Sequence, residues 1–311
     1  MSGTNRRVPE LAALLPARSA LRVVGDWIEL TKPRIAAFVV LAAFTGAVVE
    51  SGNGADSSRA LLAALFVGAV AASAGAFNQI LERDLDRLMA RTADRPLPAG
   101  RIRVRDAILF AAAACTVGVV GLATTFNLLS ALLALATVLG YALVYTPLKR
   151  VSTFNTVAGA IPGAMPPLIG AAALTGGVGP WGWMLFALVF AWQFPHFLAI
   201  AWLYREDYAR AGMKMLPALP ASRGLAGRQA LAYSLLLLPV SMLPASRGHA
   251  GLVYGASALV LGLAYTSAAA GFAWQENART ARALLYASLV YLPVLFLVAL
   301  VDVGATPIPG S

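Results

Sequence analysis

Between Asn78 and Pro96 the chain reads NQILERDLDRLMARTADRP, four acids and four arginines in one short run. On a helix, Asn78, Glu82 and Asp86 recur every fourth residue. At about 100° per residue each step drifts only about 40°, so the three share a face. An amide and two carboxylates on one face form a hard-oxygen set, which suits Mg²⁺ when a phosphate supplies its remaining ligands. Arg83, Arg87 and Arg91 repeat the same step and form a second stripe about 100° round the helix. Pro96 disfavours helix at Arg95, so the chain is expected to turn there, letting Arg91 and Arg95 fold back and clamp phosphate oxygens bidentately. The same residues also read as ordinary ion pairs on a solvated helix end, Asp84 with Arg87 for example, each worth about 0.2–0.5 kcal/mol.

A second run, AWLYREDYARAGMKMLP (201–217), has similar ingredients. Tyr204, Asp207 and Tyr208 share a helix face with Glu206 beside it, and Arg205, Arg210 and Lys214 are close in sequence. Lys149 and Arg150 end a third segment, YTPLKR. Two acidic faces and two basic sets would suit a diphosphate held through Mg²⁺ between facing loops. Lys149 and Arg150 read equally as positive anchors at a membrane surface.

The elements that must position these groups are apolar. The chain is 59% hydrophobic and 12% charged, with a mean hydropathy of +0.74, outside the range of soluble globular proteins. Charge-free runs cover 60–81, 107–148, 151–204, 229–246, 248–275 and 283–301. A spanning helix needs about 20 mainly apolar residues, so the second and third runs each hold two spans. With 35–49, flanked by Lys32 and Arg34, nine spans are expected, near 33–51, 60–81, 106–124, 128–147, 154–174, 181–203, 229–246, 250–273 and 283–302.

Placing the N-terminus in the cytoplasm puts 22 of the 24 Lys and Arg residues inside, with Arg59 and Arg247 outside. The net charge of +10 then follows from topology and contact with anionic lipid, and nucleic acid is not needed to explain it. No cleavable signal precedes Lys32. The single cysteine, Cys115, excludes an internal disulfide and any Cys-pair metal site. The domain reading is one membrane domain over 26–304, a flexible cytoplasmic tail over 1–25 and a C-terminal tail over 305–311. The charged loops 82–105 and 205–228 follow the second and sixth spans, which hints at a repeat of spans one to four in spans five to eight.

These residues carry a resemblance. NQILERDLDRLMARTADRPLPAG is similar to the first aspartate-rich motif of the UbiA-type intramembrane prenyltransferases, N-D-x-x-D-x-x-x-D followed by R-T-x-x-R-P-L. Gln79 stands for the first aspartate, Glu82 for the second, and Asp86 keeps the third. With TKPR (31–34), WQFPHF (192–197) and YREDYARAGMKMLP, the chain resembles one branch of that family, the protohaem IX farnesyltransferases (haem O synthases), from about residue 27 to the ninth span. Aligned on Gly212, the second motif has Tyr204 and Tyr208 where the wider family has aspartates, leaving Asp207 as its evident acid.

The resemblance implies an all-α, nine-helix UbiA-like fold around a central lipid-accessible cavity in the bacterial inner membrane. It implies transfer of farnesyl from farnesyl diphosphate to the 2-vinyl group of haem B, with addition of water. Asn78, Glu82, Asp86 and Asp207 would hold Mg²⁺ through the diphosphate and carry catalysis. Arg87, Arg91, Arg95, Lys149, Arg150, Arg205 and Arg210 would bind the diphosphate. Tyr141, Tyr145, Tyr204 and Tyr208 would face the allylic cation, although each also reads as interfacial belt or packing. Partners would be the two substrates, the lipid bilayer, and a haem A synthase or another oxidase-assembly protein.

His196 lies within the sixth span, where an ionisable group is a functional candidate by default. Counted along one helix it shares a stripe with Asp207, about 16 Å away, a depth suited to haem iron. A histidine bonded to a backbone carbonyl is the alternative. Rival readings are a relative acting on another aromatic or chlorin acceptor, and an ion-coupled transporter. The surface position of the acids disfavours the transporter.

Overall fold

The computed structural model describes residues 20–222 and 224–305. Helix α1 (Ala20–Leu30) joins α2 (Pro33–Ser51) through Thr31 and Lys32. Pro33 keeps Lys32 out of the right-handed helix, and Lys32 takes φ 53° in the left-handed region. There follow α3 (Ser57–Asp86), α4 (Val104–Thr125) and α5 (Leu128–Leu139). A π-helical turn (Gly140–Tyr145) carries α5 into the short α6 (Thr146–Leu148). The second half holds α7 (Asn155–Thr175), α8 (Pro180–Leu203), the short α9 (Arg205–Arg210), α10 (Leu225–Ser246), α11 (Leu252–Trp274) and α12 (Ala278–Ala305). Counting α5 and α6 as one, nine helices among the described residues are long and apolar enough to cross a membrane. The protein is a multi-pass membrane protein.

The expected spans match these helices closely, with one informative exception. The second was expected to stop near residue 81, but α3 runs for 30 residues to Asp86. That is about 45 Å, longer than the roughly 30 Å hydrocarbon layer. One rigid helix therefore carries Asn78, Glu82 and Asp86 out of the apolar zone. Of the expected N-terminal tail, Ala20–Gly25 belong to α1, while residues 1–19 and 306–311 lie outside the described residues.

Helices α2, α3, α4 and α5 pack each against the next, and α7, α8, α10 and α11 do the same. Helix α12 closes the ring against α11, α8 and α2. The neighbour order thus repeats between halves. The halves join where α2 crosses α7: a methyl group at Gly46 would collide with the Pro167 backbone, and one at Gly170 with that of Ala43. Close approach of this kind replaces the hydrophobic effect as the packing force in lipid. Large apolar side chains such as Leu65, Val120, Leu132, Val260 and Leu297 point outward.

Helix starts are capped in two ways. Asp56 accepts from the Ser58 and Arg59 amides at 2.9 and 3.1 Å to start α3, and Asn127 accepts from Ser130 at 2.9 Å to start α5. Three starts in the second half use distant acids. Glu50 accepts from Gly182 at 2.6 Å, Glu276 from Gly227 and Gly224 at 2.6 and 3.1 Å, and Asp302 from Gly251 and Tyr254. Each carboxylate meets orphan amides and the positive end of a helix dipole.

Candidate active site at the charged end of the bundle

The face predicted on α3 exists. Asn78, Glu82 and Asp86 are all buried on one helix, and each meets a group from elsewhere in the chain. Asn78 Oδ1 accepts from Lys32 Nζ at 2.6 Å, and its amide donates to Thr146 Oγ1 at 3.2 Å. Glu82 Oε1 lies 2.8 Å from Lys149 Nζ. Asp86 Oδ2 accepts from Arg95 Nη1 at 2.9 Å, while its Oδ1 is buried without a hydrogen-bond partner. Three oxygens of one row thus face three cations.

Burial, Lys149 and Arg95 together lower the Lys32 ammonium to about 7. Burial also opposes the charge of Lys149, but the Tyr145 hydroxyl and the Glu82 carboxylate beside it raise that group well above the usual lysine value. Lys149 additionally sits 4.5 Å over the Tyr145 ring. Tyr141 and Tyr145 pair at 5.0 Å between centroids across the π turn. At this turn the Tyr141 carbonyl accepts both the Thr146 backbone N–H and, at 2.9 Å, the Thr146 hydroxyl. π turns inside helices occur frequently at functional sites.

The expected arginine stripe is not formed. Helix α3 ends at Asp86, nine residues before Arg95, and the chain leaves it in a series of turns. Arg83 and Arg87 both pair with Asp84, at 3.0 and 3.3 Å, and Arg87 also donates to the Pro98 carbonyl at 3.1 Å. Because α3 stops early, Arg95 folds back onto Asp86 and Arg91 reaches the second loop. Arg91 Nη2 lies 3.4 Å from the Tyr208 hydroxyl, and its guanidinium is 4.7 and 5.9 Å from the Tyr204 and Tyr208 ring centroids. Below it Met89 packs with Ala201, Ala211, Met213 and Met215. The Lys214 amide donates to the Lys149 carbonyl at 2.7 Å. The two charged loops therefore meet at one end of the bundle.

The second loop is more self-contained. Asp207 is buried and pairs with Arg210. Arg205 donates to the Trp202 carbonyl at 3.0 Å, stacks on the Trp202 ring at 4.2 Å and pairs with Glu206 at 3.4 Å. Arg150 is exposed. Neither Arg205 nor Arg150 is brought to the acids of α3.

His196 is buried on α8, but its expected alignment with Asp207 fails. The helix continues through Pro195 and breaks at Tyr204 (φ −111°, ψ 22°), so one count of residues cannot run from one to the other. Its partner is a hydroxyl, Ser288 Oγ at 2.7 Å from Nδ1. That hydroxyl donates its single proton to the Leu285 carbonyl at 2.5 Å. With the hydroxyl proton on that carbonyl, Nδ1 is the protonated nitrogen and Nε2 keeps its lone pair; with the proton turned to Nδ1, the two ring nitrogens exchange roles. Trp192 stacks on the ring at 4.8 Å and donates to the Ser288 carbonyl at 3.0 Å.

Sequence reasoning missed Lys32, Thr146 and Ser288 as members of these networks. Only Lys32 had a local signal, a lysine directly before Pro33. The donors fit Mg²⁺: hard oxygens, with two carboxylates among them. Two buried carboxylate oxygens, Glu82 Oε1 and Asp86 Oδ1, are without a hydrogen bond. The first faces Lys149 as an ion pair, and the second faces no cation among the described residues. Among the described residues no three His, Cys, Asp or Glu side chains form a metal cage. An ion here would need oxygens from a phosphate as well.

Comparison with known proteins places the chain in a family. The UbiA prenyltransferase family matches residues 39–299. A protein named protoheme IX farnesyltransferase from Solibacter usitatus is 41% identical over 286 residues, 89% of this chain and 98% of its own. One of the same name from Gloeobacter violaceus is 40% identical over 305 residues, 97% and 96% of the two chains. Among solved structures, digeranylgeranylglyceryl phosphate synthase superimposes with a TM-score of 0.75 at 19% identity, covering 92% of this chain and 100% of that one. A UbiA homologue from Archaeoglobus fulgidus, bound to DMAPP and Mg²⁺, gives 0.65 at 16% identity, covering 91% and 100%. These two show the fold. The chain belongs to the UbiA prenyltransferase family, among the relatives named protoheme IX farnesyltransferase, and is a prenyl-transferring enzyme.

Proposed function

We propose that the protein transfers the farnesyl group of farnesyl diphosphate to the 2-vinyl group of haem B. Farnesyl C1 leaves the diphosphate oxygen and bonds to the terminal vinyl carbon. The cation then left on the inner vinyl carbon takes up water and loses a proton, giving the hydroxyethylfarnesyl side chain of haem O and free diphosphate. The name shared by the relatives supports the donor and acceptor. The observation that carries the reading for this chain is the meeting of the two loops, with Arg91 of the first against Tyr204 and Tyr208 of the second.

Asn78, Glu82 and Asp86, with Asp207 across the mouth, would hold Mg²⁺ jointly with the diphosphate. When bound, that ion neutralises charge building on the departing diphosphate. Lys32, Lys149 and Arg95 now occupy the acid and amide oxygens. With the diphosphate bound, Lys32, Lys149 and Arg95 would turn to its oxygens, where they would orient and stabilise the leaving group. Arg91 from the first loop and Arg210 from the second would close on the diphosphate from opposite sides, with Arg87 at its edge.

Tyr141 and Tyr145 would face the allylic cation, and the apolar bundle keeps water from capturing it early. His196 would offer Nε2 to haem iron, with Nδ1 held by Ser288. With the loops taken as cytoplasmic, the site opens on the inner face of a bacterial plasma membrane.

The test is incubation of purified protein with haem B, farnesyl diphosphate and Mg²⁺, followed by mass spectrometry of the extracted haem. A haem enlarged by one farnesyl group and one hydroxyl group supports the reading. Unchanged haem alongside a prenylated hydroxybenzoate in a parallel reaction would replace it with another acceptor.

A further inference from the structure

The first charged loop is tied to the N-terminal helix by a buried ion pair with no part in the chemistry above. Asp26 of α1 is 6% exposed. Arg101, in the turn before α4, donates to its Oδ1 at 2.9 Å. The same guanidinium donates to Asp94 Oδ1 at 2.9 Å and to the Asp94 carbonyl at 2.8 Å, and stands 4.0 Å from Glu29. Asp94 immediately precedes Arg95, the residue that folds back onto Asp86.

The other end of α1 is fixed just as specifically. Gln79, next to Asn78 on α3, donates to the Leu30 carbonyl at 3.0 Å. Two residues later the left-handed Lys32 delivers its ammonium to Asn78. Two cations facing the acid row, Lys32 and Arg95, are thus set by segments that Arg101 fastens together.

A flexible apolar contact could hold α1 near the bundle but could not fix the rotation of the loop about Asp94. A guanidinium with three directed bonds in one plane can. Burial strengthens the demand: removing one partner of a buried pair leaves a charge without compensation. Most of α1 is otherwise exposed, including Leu21, Val24 and Ile28.

We propose that Asp26 and Arg101 are positioning residues: through Asp94 and α1 they hold Arg95 and Lys32 in register with Asp86 and Asn78. This rests on the diphosphate site above. The pair touches no reacting atom. Its loss would weaken diphosphate and Mg²⁺ binding while leaving the intrinsic chemistry nearly intact.

The test uses the full chain in lipid nanodiscs with Asp26→Asn, Asp26→Glu and Asp94→Asn. Amide hydrogen exchange of residues 92–101, measured without any ligand, is expected to quicken about tenfold in Asp26→Asn while α2 stays protected. The KM for farnesyl diphosphate and the half-saturating Mg²⁺ concentration should each rise about tenfold, with kcat within about twofold. Asp26→Glu should restore both readouts. Asp94→Asn, on a side chain 97% exposed and so harmless to the core, should move them in the same direction by about threefold.

Unchanged exchange in Asp26→Asn, equal loosening of α2 and α3, or failure of Asp26→Glu to restore the wild-type behaviour overturns the proposal. If wild-type protein turned over no prenyl diphosphate, the functional reading would fall separately. The exchange comparison would still decide the latch.

Discussion

The two charged loops use similar residues in opposite ways. In the first, the acids are buried at the end of a long helix and meet cations delivered from afar: Lys32 from before α2, Lys149 from after α6, Arg95 from a returning turn. In the second, the acids pair with near neighbours, Asp207 with Arg210 and Glu206 with Arg205. The second loop contributes its aromatic faces to the join, where Arg91 lies against Tyr204 and Tyr208. Repetition of a fold thus does not require repetition of chemistry. The first half is built to hold charge on charge, and the second to cover it.

If that division is right, matched substitutions in the two loops should differ. Asp86→Asn keeps the shape and removes the charge beside an unpartnered oxygen, and kcat/KM should fall about a thousandfold. Asp207→Asn, in a locally paired site, should cost about ten- to a hundredfold in the same assay. Equal losses would mean that both loops hold the metal equally. Arg91→Ala removes the charged side chain that reaches from the first loop to Tyr204 and Tyr208 of the second, and KM for farnesyl diphosphate should rise about tenfold with kcat less affected. Arg205→Ala, whose side chain is committed to Trp202 and Glu206, should stay within about twofold of wild type. A larger loss would bring Arg205 back into the diphosphate site.

The apolar frame was legible because each span is long, uncharged and bounded by basic residues. The end of α3 was less so, since its charges resemble a loop while its backbone continues as helix to Asp86. The acid face followed from four-residue spacing, which a single unbroken helix preserves. Spacing failed wherever the helix stopped. It predicted an arginine stripe through Arg91 that ends at Asp86, and a His196–Asp207 row that the break at Tyr204 interrupts.

Partners separated by many residues were beyond local patterns. Lys32 with Asn78, Thr146 with Asn78, and Ser288 with His196 depend on which helices become neighbours. Packing decides that.

The most direct measurement is a cryo-electron microscopy map of the protein with Mg²⁺ and a non-hydrolysable thiolo analogue of farnesyl diphosphate. The account predicts one diphosphate between the loops, contacted by Arg91 or Arg95 on one side and by Tyr208 or Arg210 on the other, with a metal at Asp86. A diphosphate held by one loop alone, or seated at the opposite end of the bundle near Glu50 and His249, would contradict it.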